Sequence, residues 1–427
     1  MPELQTLTTI AKIDVDNSGA LVLGLLGHSA TKLWNTALWD ATERWNNTGK
    51  IPAYQEQAKR LKSNRWYKNA HAQTSQAVLE EQWQAHKSWF ALRKTDPKAN
   101  PPKFRKKTTV STVTFKKDSI RLNGETLRVG VPEKVYGRKY LSLKLHFPPT
   151  HRVTTDNIQV VRVVCGRGEF FAHIVHRVVL PEAEAGGHVL AVDLGICRLA
   201  GTACTDGKSK LYSGGELLAL ERYFEKEKSK CTESRSRKCF TLNSKRSRQR
   251  KHLLHALTRN LVRDAKARGV STIVVGDLQG IRTDKEGEAK QWGRENQKLH
   301  AWPYAEIVRQ ITYKAKLEGM AVEQVSEQYS SQICCACGKR RKANRIHRGV
   351  YQCKTCGVVV HADINGAWNI LKTYLRGAES LVTWSSGGLA PPTVNRFAWR
   401  NTAPIVHEPG TWFGVPPTAA ANHRRAA

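Results

Sequence analysis

Four cysteines in two pairs constrain this chain more than any other feature. Cys334 and Cys337 form one C-x2-C and Cys353 and Cys356 a second, with fifteen residues between the pairs. Thiolates at that spacing close a tetrahedral zinc site, so residues 331–356 read as a ribbon built around structural Zn2+. Gly338 and Gly357 follow the pairs directly. There a tight knuckle lets backbone amides approach the thiolates. Cys335 falls out of register and reads as a bystander. The loop between the pairs, "GKRRKANRIHRG", is strongly basic, which turns Arg340, Arg341 and Arg345 toward a phosphate-bearing partner.

Charge leads to the same partner. The 427 residues hold 69 Lys and Arg against 36 Asp and Glu, a formal net charge of +33. Such an excess repels itself unless a polyanion neutralises it, and nucleic acid does so with release of counterions. The length implies several domains. No stretch reaches the roughly 18 to 20 apolar residues of a membrane span, and "MPELQTLTTI" lacks the basic and apolar blocks of a signal peptide. The expectation is a prokaryotic cytoplasmic protein with no membrane partner, its ten cysteines metal ligands or plain thiols rather than disulfides.

Along the chain, residues 5–14 alternate as one strand, and 18–93 follow a helical period. Leu25, Leu26, Leu33, Trp34, Leu38, Trp39, Val78, Leu79, Trp83, Trp89 and Phe90 form its apolar stripes. "TDPKANPPKFRKK" marks a boundary. From 108 to 180, short β runs with turns between them read as a small barrel, which the N-terminal strand could join, leaving the helices as an insertion. Next come two strands in 185–208, a long charged segment, a helix at 250–269, a strand at 270–278, a helix at 304–320 and a strand at 321–327. That order predicts an α/β domain with a mixed sheet. Residues 377–427, rich in Gly, Pro, Ala, Ser and Thr, read as disordered.

Carboxylates stand at the ends of these elements. Asp193 in "AVDLG" closes an apolar strand, where a polar residue is costly unless it binds something. Asp363 in "HADINGAWNILK" opens the last amphipathic helix. Converging carboxylates can hold Mg2+ ions for phosphodiester hydrolysis; taken singly, each Asp could equally be a cap or turn residue.

The run from "AVDLGI" through "IVVGDL", "ITYKAKLEGMAVEQVSEQYSSQICCACG" and "YQCKTCG" to "HADINGAWNI" closely resembles the TnpB family. That family comprises transposon-encoded RNA-guided DNA nucleases and the compact type V CRISPR effectors descended from them. The resemblance implies a multidomain α+β fold. An RNase-H-like (RuvC) nuclease domain (185–330 and 357–376) would carry the zinc ribbon. A wedge-like β-barrel (1–17 and 105–182) would precede it, bearing a helical recognition lobe (18–104). It further implies that Lys103, Arg105, Arg235, Arg237, Lys245, Arg246, Arg248 and Arg250, with the ribbon arginines, line a channel for a guide–target heteroduplex. One or two of the tryptophans could stack on bases.

The family uses three acidic residues. Asp193 matches the first and Asp363 the third. The second is a Glu where this chain has Gly276, followed by Asp277. Residues 276 and 277 point to opposite sheet faces, so Asp277 does not simply replace the missing Glu. Glu327, ending "AVEQVSE", should lie at the same end of the neighbouring strand, about 5 Å away, within reach of a metal between Asp193 and Asp363. Glu323 shares its face but sits deeper. Alternatively, Glu327 pairs with a nearby Arg or caps the following loop.

The implied activity is cleavage of guide-matched DNA beside a short adjacent motif, with Asp193, Glu327 and Asp363 holding catalytic Mg2+ and leaving 5′-phosphate and 3′-hydroxyl ends. The partners would be a guide RNA, the target duplex and its displaced strand. A nuclease-dead protein acting by target occupancy is the alternative. A zinc-ribbon DNA-binding or transposition accessory protein using no RNA is a third reading.

Overall fold

The computed structural model describes residues 3–106, 108–149, 151–166, 168–183, 186–233, 236–278, 302–347, 349–375, 393–396 and 405–407. They divide into two compact units at Val179–Leu180.

The first unit is one antiparallel sheet with helices inserted after its first strand. It contains β1 (Leu4–Asp14), α1 (Asn17–Thr48), α2 (Tyr54–Leu61), α3 (Arg65–Lys68), α4 (Ala72–Arg93), β2 (Val113–Lys116), β3 (Ile120–Asn123), β4 (Thr126–Gly130), α5 (Glu133–Tyr136), β5 (Tyr140–His146), β6 (Ile158–Gly166) and β7 (Glu169–Val179). The strand order is β2-β6-β7-β1-β5-β4-β3. Val113 and Phe115 from one edge share a core with Ile120 and Leu122 from the other, so the sheet curls over its own apolar face. β1 joins by pairing with β5 and β7.

Asp16 caps α1 by accepting the Gly19 amide at 2.7 Å. Leu33, Trp34, Ala37, Tyr67, Val78 and Leu79 then form a second, helical core. The apolar stripe read from the sequence is too wide by two positions. Leu25 is 46% and Trp39 60% exposed, because a 3.6-residue period turns them away from α3 and α4.

The second unit opens with β8 (His188–Asp193), β9 (Arg198–Cys204) and β10 (Ser209–Ser213). These lead to α6 (Gly215–Ser229), α7 (Arg237–Ala267), β11 (Val270–Asp277), α8 (Tyr304–Leu317) and β12 (Ala321–Ser326). It finishes with β13 (Arg345–His347), β14 (Val350–Gln352), β15 (Val359–His361), α9 (Ala362–Leu375), β16 (Thr393–Arg396) and β17 (Ile405–His407). Its main sheet runs β12-β11-β8-β9-β10-β16-β17. β8, β11 and β12 are parallel, and β9 is antiparallel to its neighbours. This is the expected mixed α/β sheet, with "AVEQVS" beside "TIVVGD".

Strand alternation sorts the sheet's two faces. Leu190, Val192, Ile273 and Val275 pack with Leu217, Phe224, Leu257 and Ile311 of α6, α7 and α8. Ala191, Ala203 and Val274 pack with Ile364, Ala367, Trp368 and Leu371 of α9. The small alanines admit α9 closely, and the fully buried Trp368 donates its indole N–H to Ser209 Oγ at 3.1 Å. Burial of each such apolar side chain contributes about 1.5–3 kcal/mol.

Two expectations need correction. The helix read at 250–269 starts earlier, since α7 begins at Arg237 within the charged segment and runs unbroken to Ala267 behind a Ser236 cap. Its first half carries few apolar residues, so helical periodicity is faint there. The tail is not structureless throughout either. β16 pairs in parallel with β10, and β17 with β16, because β10 presents an open edge that a β-branched segment such as Thr393-Val394 can satisfy.

Candidate active site

The four cysteine Sγ atoms lie within 4.8 Å of one another, with Cys334–Cys356 at 3.7 Å and Cys337–Cys353 at 3.6 Å. A Zn–S bond of about 2.3 Å gives a tetrahedral S–S edge of about 3.8 Å, so the spacing fits zinc. Gly338 and Gly357 both take φ near +70° (71° and 72°). Their amides donate to the Cys334 and Cys353 carbonyls at 2.9 Å, forming the expected knuckles. Cys335 stands outside the cluster, its amide bonded to Asn365 Oδ1 at 2.9 Å and its thiol pushed up to about 12 by burial.

Asp193 ends β8 and, following Val189 and Ala191, points to the α9 face of the sheet. Gly366 on α9 makes room for it, since a Cβ there would lie 2.1 Å from Asp193 Oδ2. Asp363 sits in the first turn of α9. It is not the cap, for its own amide donates to His361 Nδ1 at 3.3 Å. Burial, with Arg198 and Arg345 nearby, lowers His361 to about 4, so this ring is neutral at pH 7.

Gly276 lies on the same face, following Val274. A Cβ on Gly276 would meet Glu327 Oε2 at 2.4 Å and Ile370 Cδ1 at 2.9 Å. Glu327 therefore fills the space that a side chain at 276 would need. Its Oε2 is buried with no hydrogen-bond partner among the described residues, so the cap and ion-pair alternatives leave this oxygen unexplained. Asp277 points to the opposite face, near Tyr304, whose hydroxyl donates to the Gly276 carbonyl at 3.1 Å. Glu323 remains on the α9 face but accepts from Tyr374 Oη at 3.2 Å, exposed at the sheet edge.

Electrostatics join the three carboxylates. Burial drives Asp193 well above the ordinary carboxylate range, Asp363 and Glu327 push it further, and Arg345 opposes them. Burial and then Asp277 raise Glu327 to about 7. Like charges crowded in a dry pocket favour protons or cations. Among the described residues only the cysteines close to within 4.8 Å as a group, so the carboxylates form a looser set. Arg345, on the ribbon's β13, lies 3.9 Å from Asp363 Oδ1.

One element linking these parts was not anticipated. Asn365 and Asn369, one turn apart on α9, both donate through Nδ2 to the Ser330 and Ile333 carbonyls, at 2.7–3.3 Å. They tie the turn after Glu327 to the helix bearing Asp363. The signal was present as Asn at i and i+4 in "DINGAWN".

The basic residues divide. Arg237, Lys245, Arg248 and Arg341 are exposed, and Lys103 offers its carbonyl to Trp34 at 3.4 Å. Arg246 and Arg250 flank Glu221. Arg105 is an internal fastener: it pairs with Glu81 at 3.0 Å, bonds Ser111 Oγ at 2.9 Å and covers the Trp34 ring at 3.8 Å. Arg235 lies outside the described residues. No described helix is long and apolar enough to cross a membrane.

Comparison with known proteins shows what the chain is similar to. Residues 304–370 match the Cas12f1-like TNB domain, and 162–282 match a family described as "Probable transposase". The chain is 25% identical over 353 residues to "Putative RNA-guided DNA endonuclease InsQ" of Escherichia coli K12, covering 78% of this chain and 82% of that protein. It is 25% identical over 389 residues to TnpB-like protein ORF457 of Acidianus two-tailed virus, covering 81% and 82%. Over 116 residues it is 34% identical to Cas12f1 of Sulfoacidibacillus thermotolerans, 27% of this chain and 25% of that one. A Cas12f1 solved with sgRNA and target DNA shares the fold at a TM-score of 0.52 and 15% identity, over 83% of this chain and 82% of that one. The chain is thus similar to TnpB-like proteins over most of its length and to a compact type V effector over part of it.

Proposed function

We propose that this protein is an RNA-guided DNA endonuclease whose RuvC-like site draws its second acid from Glu327 instead of position 276. The observation that carries the reading is Glu327 itself. Its carboxylate fills the space above Gly276 on the sheet face that presents Asp193 and carries α9 with Asp363, with one oxygen buried and without a hydrogen-bond partner among the described residues. The sheet order β12-β11-β8-β9-β10 supports an RNase-H-like domain. The curled sheet of the first unit suits a wedge, and α1 to α4 a recognition lobe. Guide RNA and target DNA come as partners from the named relatives and from the +33 charge.

Asp193, Glu327 and Asp363 would hold Mg2+. Bound there, Mg2+ would activate water and stabilise the leaving oxygen. The protein's own groups supply the rest. Burial and crowding raise the carboxylates' demand for cations, the Asn365–Asn369 clamp fixes Glu327 relative to Asp363, and Arg345 offers a cation to the phosphate. Occupancy without cleavage is favoured only by the missing side chain at Gly276.

The test is co-expression with the native flanking DNA, purification, and challenge with a guide-matched plasmid library of randomised adjacent motifs in Mg2+. Wild type should cut. Asp193→Ala and Glu327→Ala should each lower cleavage by at least about a hundredfold, on the order of 3 kcal/mol, while still binding target. Tight guide-dependent binding by wild type without cutting would replace the proposal with target occupancy.

A further inference from the structure

Tyr329 stands two residues beyond Glu327, so their Cα atoms are at most about 7 Å apart. It is the one non-glycine residue with positive φ among the described residues, at 63°. An aromatic side chain rarely takes that conformation without something to hold it. Here the turn is held firmly. The Gln332 and Ile333 amides donate to the Tyr329 carbonyl at 2.8 and 3.1 Å, and the two asparagines of α9 anchor Ser330 and Ile333.

Tyr329 as a residue is 42% exposed, and its ring carries the Arg340 guanidinium 3.3 Å from its centroid. Arg340 is itself positioned, bridged through its backbone to Ile333 and bonded from Nε to Gln332 Oε1 at 3.2 Å. A strained backbone thus presents an exposed aromatic ring with a guanidinium over it, two residues from the acid that we place in the active site.

We propose that Tyr329 and Arg340 form a stacking platform for a base of the single-stranded DNA that enters the Asp193–Glu327–Asp363 site. This rests on the endonuclease reading and specifies its substrate as a splayed single strand. Every base has a π face, and both a phenol and a guanidinium can continue its stack, so the platform grips without reading sequence. Ordering the base beside the reacting phosphate would position it for attack.

The test uses the full chain loaded with guide RNA and single-stranded substrates carrying 2-aminopurine at successive positions. Wild type should quench fluorescence at one or two adjacent positions. Tyr329→Gly, which accepts the positive φ without strain, should abolish that quench and raise KM for the strand roughly five- to a hundredfold, with kcat less affected. Tyr329→Trp should keep both properties. Arg340→Lys should behave like Arg340→Ala, because an ammonium has no planar face. Cleavage with unchanged quench and KM in Tyr329→Gly overturns the platform and leaves the endonuclease standing. A Tyr329-dependent quench in a wild type that never cuts overturns the endonuclease and leaves the platform standing.

Discussion

At the scale of single residues, the candidate site turns on Gly276 and Glu327 sharing one volume. A side chain at 276 must push the Glu327 carboxylate and Ile370 Cδ1 from their places, so Gly276→Ala should lower cleavage about tenfold, near 1.4 kcal/mol, with target binding intact. Gly276→Glu combined with Glu327→Ala should recover part of the activity that Glu327→Ala alone loses. Cleavage rates of the three variants measure this, and an unaffected Gly276→Ala would show that Glu327 is not where the chemistry happens.

The raised acid also predicts a pH signature. Glu327 keeps its proton in the folded state between about 4.5 and about 7, where the unfolded chain has released it. Its contribution is therefore fully present below about 4.5 and lost as pH rises through about 7. In magnesium-free buffer the Tm of wild type should fall, relative to Glu327→Gln, across that window. A constant difference would mean that the carboxyl is not desolvated.

Among elements, α9 carries the organisation. Asn365 and Asn369 serve the same two carbonyls, so one can cover for the other. Asn369→Ala should cost little in chemical denaturation, Asn365→Ala more because it also strands the buried Cys335 amide, and the double variant about 1–3 kcal/mol beyond the sum. Equal and additive losses would contradict the shared clamp.

Legibility in the sequence follows how local each element's information is. The ribbon could be read because its ligands, knuckles and glycines sit within 24 residues, Cys334–Gly357. The placement of Asp193 and Asp363 could be read because strand ends and helix starts leave local marks, while their proposed role came from the resemblance. Glu327 emerged only by assuming which strand lies beside β11. β10 and α6 were missed inside a segment read as charge alone. The pairing of β16 with β10 joins residues some 180 positions apart, and no local pattern encodes such a partner.

Over the whole molecule, the charge of +33 makes affinity a function of salt. Each residue that neutralises a phosphate adds about 0.7–0.9 to the slope of log K against log salt. Lys245→Ala and Arg248→Ala, both exposed on α7, should each reduce the guide-RNA slope by about that much. Arg105→Ala should leave it unchanged while lowering stability, since Glu81, Ser111 and Trp34 already occupy that guanidinium. Sequence alone had put all three in one basic set. Formal charge is legible from composition, but whether a cation is spent internally depends on packing.

The glutamate above Gly276 also bears on how such a site can be built. Two parallel strands that end at the same level offer interchangeable footholds for a long acidic side chain. On the reading proposed above, a site that lacks an acid on one strand can draw it from the next without any change in the sheet. What then matters for such a site is which carboxylate fills the space above position 276, whichever strand supplies it.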